Sequence, residues 1–368
     1  MFVGIGVGIG RQRFGGGIFS GYASRVVADG GVTEAGSCVD AVSTLLQTAS
    51  LLLVPSGYKS GKVYSQIPTN GNGDLTWTRA STANRTNSSG NIELVATGVP
   101  RLDYPQGSCP ALLLEPQRTN LVFPSATATT QTRTVTAVAH TLSFYGTGTV
   151  VLSGVAIATL TGTGANNRVT LTFTPTAGSL ILTVTGSVTN WQLEAGAYPT
   201  TYIPTTTASA TRIADSFSRD NIYTNNLITS SGGTWFVELQ NNLLYIRDAF
   251  AQGLGIGENT NSIGSNGFAF TFGGSIALRF FIRKYLGGFE SLIYSSTASN
   301  VNKIIIKWNG TTADVFVNGT KVVSATAFTT TNMQFLFGLG NGTPIFIQQM
   351  ALYSSPLSDT DCIAITTL

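Results

Sequence analysis

Residues 133–194 read RTVTAVAHTLSFYGTGTVVLSGVAIATLTGTGANNRVTLTFTPTAGSLILTVTGSVTNWQLE. Apolar residues alternate with Thr or Ser along most of this stretch, and Gly or Asn interrupts it every 8–12 residues or so. Alternation with period two places one side-chain set on a core and the other in water, and regular turn signals between short strands mark a sandwich. The strands predicted here are 133–137, 140–145, 148–152, 155–160, 168–174, 179–185 and 188–194. The fold class expected for the whole chain is all-β: two antiparallel β-sandwiches (jelly rolls) after an N-terminal arm, a short helix and an irregular connector.

Composition agrees with this. Charged residues make up 10% of the 368, against roughly 25% in an ordinary soluble domain, while Gly reaches 42 residues. Thr on solvent-side strand positions and Gly in turns account for that balance. The net charge of +3 is too small for a nucleic-acid footprint, which needs Lys and Arg clustered on one face. No apolar stretch reaches the roughly 20 residues that a membrane-spanning helix requires. Cys38, Cys109 and Cys362 are widely separated, and their odd number predicts small buried hydrophobes, not a disulfide framework or metal ligands. No cofactor and no metal is expected.

Upstream of the sandwich, residues 64–121 carry turn signals at Asn72-Gly73, Ser89-Gly90, Val99-Pro100, Cys109-Pro110 and Glu115-Pro116, with short extended pieces at Leu75–Thr78 and Ile92–Val95. Glu93, Asp103 and Glu115 lie among Arg79, Arg85, Arg101 and Arg118 in this charge-poor chain, and together they predict an ion-pair cluster that stiffens a connector. Downstream, residues 302–323 read NKIIIKWNGTTADVFVNGTKVV, a β-meander with Asn-Gly turns at 309–310 and 318–319. Residues 345–361 then run from a strand into a short helix with Ser358 as its N-cap and Asp361 three residues on.

At the N-terminus, Phe2, Val3, Ile5, Val7 and Ile9 alternate with Gly in an apolar arm of residues 1–22 that cannot make a core alone. With Arg11 and Arg13 after the apolar run, the arm lacks the form of a secretory signal and is expected to be retained. Val39, Val42, Leu45, Leu46 and Ala49 predict one face of an amphipathic helix, stopped by Pro55. The division expected is 1–55 anchor, 56–121 connector, 122–215 first sandwich and 216–368 second sandwich.

Enzyme chemistry finds little support. His140 is the only histidine and is expected on a strand surface, and no pair of carboxylates is spaced for glycoside hydrolysis. Sugar recognition uses an aromatic platform with polar neighbours, for which Trp235, Tyr245, Tyr285, Trp308 and Tyr353 are the candidates. Glu258 and Asn259 near Asn261 make a thin case for calcium.

The run TRAS (78–81), VPRLDY (99–104) and CPALLLEPQRTNL (109–121) resembles, in order, a segment of tailed-bacteriophage virion fibre and decoration proteins. WQLEAGAYPTTYIPT (191–205) is similar to the ending of the carbohydrate-binding-like module in those proteins, and residues 302–323 resemble a concanavalin A/laminin G-like jelly roll. The resemblance implies a non-enzymatic virion structural protein, a head fibre or capsid-decorating spike, assembled in the host cytoplasm and displayed on the virion surface. It implies a lectin-like domain turned towards host surface glycans, while the low charge and the coreless apolar arm predict anchoring to capsid or tail proteins through that arm and a homotrimer. A tail fibre or baseplate receptor-binding protein is the alternative, and a glycan depolymerase is a third class.

Overall fold

A computed structural model describes residues 20–34, 43–105, 109–240, 247–259, 262–274, 279–297, 299, 301–329, 333–340 and 344–367. The fold is all-β, with the described helices confined to Ser20–Ala28, the 3-10 turn Leu46–Thr48 and Asp359–Thr366. The arm residues Phe2, Val3, Ile5, Val7 and Ile9 lie outside the described residues.

The large sandwich has a ten-stranded and an eight-stranded sheet. In the first, Leu75–Thr78 pairs with Ser216–Asp220, which pairs with Phe335–Leu339, and the sheet ends in the meander Arg247–Asn259, Ser262–Gly274, Arg279–Leu286 and Phe289–Thr297. The second is built on Gly233–Gln240, flanked by Val301–Trp308 and Ile345–Tyr353. Residues set apart in the sequence as anchor and connector belong to these sheets. Leu51–Leu53 and Ala111–Leu114 both pair with Ile345–Tyr353, and Gly57–Lys59 and Lys62–Val63 extend the ten-stranded sheet. The core between the sheets therefore mixes Leu51, Leu75, Trp77, Leu112 and Leu114 with Trp235, Phe268, Phe270, Ile304, Trp308 and Met350.

The small sandwich is an insertion. A four-stranded sheet carrying Gln131–Val135, Gly178–Thr185, Thr149–Gly154 and Ala158–Thr161 faces a three-stranded one of Gly164–Phe173, His140–Gly146 and Val188–Ala195. Each strand predicted between 133 and 194 is present to within a few residues. Its core of Val135, Leu142, Phe144, Val150, Leu152, Leu180, Leu182, Trp191 and Leu193 is separate from that of the large sandwich. The chain runs into and out of it through one two-stranded ribbon, Arg118–Asn120 against Ala210–Arg212.

Several local expectations need correction. The stripe ending at Leu45, Leu46 and Ala49 forms a single 3-10 turn there; Val39 and Val42 lie outside the described residues. The next strand is buried on both faces, Leu51 and Leu53 inward and Leu52 and Val54 outward, so its continuous apolar run mimics a helical stripe. Cys109 is disulfide-bonded, while Cys362 is free and buried; an odd count excludes only complete pairing. His140 is 1% exposed instead of lying on a strand surface, because its strand is central in the three-stranded sheet and its ring packs on Phe173. Asn318 and Gly319 both take positive φ, as a type I′ hairpin requires. At the other turn, Asn309 instead accepts the Thr311 and Thr312 N–H groups through its side chain, an Asx-type turn. Ser358 caps the last helix, accepting the Asp361 N–H at 3.1 Å.

Candidate functional site

The connector charges form a buried network at the root of the insertion. Arg101, fully buried, donates to Glu115 at 2.6 Å and pairs with Asp215. Arg79 reaches Asp215 at 3.1 Å and closes the Ala96 carbonyl at 2.7 Å; Arg212 reaches Glu115 at 2.9 Å. Glu115 also accepts the Thr201 N–H at 2.8 Å, from the YPTTYIPT segment. Burial pushes the Glu115 carboxyl up, but Arg212, Arg101 and the Thr201 and Arg101 hydrogen bonds outweigh it, leaving the group at about 2. Among the described residues Asp103 has no ion-pair partner: burial dominates and raises it from 3.8 to about 6, opposed by the Thr86 N–H and Arg101.

Around this core the remaining motif residues hold one another. Arg85 bridges Glu34 at 2.7 Å and Glu93 at 2.6 Å. Arg118 lies over the Tyr198 ring, 5.1 Å from its centroid, and 3.7 Å from Glu194. Asn120 donates to the Trp191 and Ile203 carbonyls and accepts the Val122 and Leu193 N–H groups, so this buried amide is satisfied on every side. Arg79, Arg85, Arg101, Glu115 and Arg118 thus each form an ion pair. Their partners Asp215, Arg212, Glu34 and Glu194 were not foreseen. The only available signal was that each is a charge in a chain with few of them.

The aromatic candidates separate sharply. Trp235 and Trp308 are 0% and 1% exposed and pack in the core against Phe270 and Phe268, at centroid distances of 4.7 and 5.8 Å. Tyr353 is also buried, its hydroxyl donating to the Leu45 carbonyl at 3.0 Å. These three cannot form a solvent-facing platform: inward strand positions of a two-sheet core take the largest apolar groups available. Tyr245 lies outside the described residues.

Tyr285 is half-buried, one strand in from the edge of the ten-stranded sheet, with its ring against Ile263, Ala269 and Phe337. Its hydroxyl donates to Glu290 at 2.5 Å, and Arg283 pairs with the other Glu290 oxygen while lying 3.3 Å from the Thr271 hydroxyl. Leu292, opposite Arg283 and so on the same face, is 52% exposed, while Phe289, opposite Leu286, is 80% exposed on the other face of the hairpin. The connecting tip, Gly287-Gly288, has positive φ at both residues and is held by the Asn266 side chain and the Ser265 carbonyl. Glu258 accepts from Asn266 and from the Ser265 N–H, so its oxygens brace this tip. The corner offers aromatic and apolar surface beside a guanidinium, a carboxylate and hydroxyls, a neutral patch able to stack a sugar ring and hydrogen-bond its edge.

Compared with known proteins, the chain matches no family model and no curated protein. Among solved structures it is similar to the CBM40 domain of the Ruminococcus gnavus IT-sialidase, 18% identical with a TM-score of 0.28, over 37% of this chain and 83% of that one. It is also similar to the botulinum neurotoxin serotype C1 binding domain, 12% identical with a TM-score of 0.33, over 42% of this chain and 40% of that one. A Trypanosoma rangeli sialidase, 9% identical with a TM-score of 0.32, matches over 40% of this chain and 25% of its own length. Likenesses this slight assign no residue and no activity to the chain.

Proposed function

We propose that the chain is a non-enzymatic bacteriophage virion structural protein, a head fibre or capsid-decorating spike, whose large sandwich presents a lectin-like surface to neutral glycans of the host. The observation that carries this reading is the buried junction. The stretches that resemble phage fibre and decoration proteins, TRAS, VPRLDY, LLLEPQRTN and WQLE–YPTTYIPT, meet there through Arg79, Arg101, Glu115, Arg118, Glu194 and Thr201. Segments that resemble one set of proteins and also fold as one unit support a shared architectural role. The use of carboxylates supports a binding role over a hydrolytic one: Glu115, Asp215, Glu34 and Glu258 are engaged by arginines or amides within the fold. The host-facing end is supported by the Tyr285–Phe289 corner.

Gold-labelled antibody against the small sandwich, applied to intact particles in the electron microscope, tests the placement. Label on heads fits the head fibre, label confined to tails transfers the role to a tail fibre or baseplate protein, and unlabelled particles overturn the virion assignment. Glycan recognition is tested with the full chain displayed multivalently on a glycan array, because single sites of this kind are weak and copies supply avidity. Binding should change little with salt, since the patch is nearly neutral, and should fall in Tyr285→Ala/Phe289→Ser. Absence of binding to any glycan leaves a purely structural role.

A further inference from the structure

On the outer face of the eight-stranded sheet, Lys303, Glu238 and Gln349 form one row across three adjacent strands, with Glu238 directly opposite both others. They line a cavity of about 140 Å³ that opens to solvent on one side, walled by Phe236, Leu46 and Ile365 beneath the C-terminal helix. None of these residues belongs to the junction or to the Tyr285 corner.

The hydrogen-bond ledger of the row is unbalanced. The Gln349 Oε1 atom is buried and has no partner. Burial pushes the Glu238 carboxyl up; among the described residues Lys303 is the one charge that opposes this, and no hydrogen bond contributes. Lys303 itself holds the Thr367 carbonyl at 3.1 Å and keeps further N–H groups. Buried acceptors without donors are costly, so such a group points to an outside donor. A cationic ligand would meet Lys303 and an anionic one Glu238, and the two charges cancel across the row. At about 10–15 Å³ of such space per water the cavity holds roughly ten water molecules, enough for one sugar ring with its free edge in solvent.

We propose that this cavity is a binding subsite for a single neutral pyranose, the terminal residue of a glycan. Glu238 and Gln349 accept hydrogen bonds from ring hydroxyls, Lys303 donates to a ring or hydroxyl oxygen, and Phe236, Leu46 and Ile365 supply the apolar wall. The proposal rests on the glycan-binding reading for its biological setting, while its chemistry rests on the cavity alone.

The test uses the full chain and a panel of methyl pyranosides of glucose, galactose, mannose and N-acetylglucosamine, followed by ligand-observed NMR. At least one should bind saturably, and Gln349→Leu and Glu238→Gln, both close in volume, should each weaken it about tenfold, the effect of losing one well-made hydrogen bond. Thermal unfolding of the variants checks that both fold. Pyranoside binding that survives both substitutions but vanishes in Tyr285→Ala overturns the subsite and leaves the glycan reading intact. Wild-type protein that binds none of the pyranosides also overturns the subsite, and the displayed-glycan array then decides the broader reading separately.

Discussion

The junction and the outer corner of the ten-stranded sheet both contain arginine–carboxylate pairs, yet they use them in opposite ways. At the junction, Arg101, Arg79 and Asp215 are shielded from water, and besides their ion pairs Arg79 is tied to the Ala96 carbonyl and Arg101 to Thr201. At the corner, Glu290 is 42% exposed and Arg283 21%, beside bare Phe289. A solvated pair contributes little to stability. A buried one draws its value from geometry, because breaking it strands a charge while a complete set fixes one arrangement of the strands around it. In a chain with so few charges, placing several at one internal point shows where relative position matters most.

The largest expected effect belongs to the junction. Arg101→Met, which leaves Glu115 and Asp215 buried with fewer counter-charges, should cost about 3–5 kcal/mol or prevent folding, measured by urea denaturation. A cost below about 1 kcal/mol would erase the contrast with the corner.

Next comes Asp103. Its folded pKa of about 6 lies above the ordinary 3.8, so the folded state holds this proton more tightly than the unfolded chain does. Its contribution is fully present below pH 3.8, declines as pH rises through 6 and stays lost above that. Asp103→Asn should match wild type near pH 4 and exceed it by about 3 kcal/mol at pH 7, as the Asn carbonyl can still accept the Thr86 N–H. A variant less stable than wild type at pH 7 would show that Asp103 acts as a paired anion instead.

Ser358→Ala should cost about 1 kcal/mol through the lost N-cap, read as a shift in the urea midpoint without change in slope. Smallest of all, Phe289→Ser at the corner should move stability by less than about 0.5 kcal/mol, since so exposed a side chain buries little area. A larger loss would mean that the corner is covered by something in solution.

What the sequence disclosed follows the range of each signal. The strands of the small sandwich, the Asn318–Gly319 turn and the Ser358 cap depend on residues a few positions apart, and all are where local chemistry puts them. Sheet membership depends on distant pairing. Nothing near Leu51 indicates that it will lie beside Leu352, or near Leu75 that its strand will flank Ser216–Asp220. The charged connector residues stood out against an uncharged background, but Asp215 could not be matched to Arg101 without knowing that 118–120 and 210–212 form one ribbon. For the aromatics the failure was one of depth. Trp235 and Trp308 alternate as any strand residue does, and only the second sheet laid over them decides that they are inside.

The ribbon that carries the small sandwich has a mechanical consequence. Its two strands begin and end the insertion at one place, so a pull along the chain passes across the ribbon's root without stretching the module. The load falls instead on Leu51–Leu53 and Ile345–Tyr353, neighbours whose outer ends lie side by side, and they would part by peeling, one hydrogen bond at a time. Under tension between residue 50 and residue 354, single-molecule traces should show the large sandwich yielding first, at low force, with the insertion still folded.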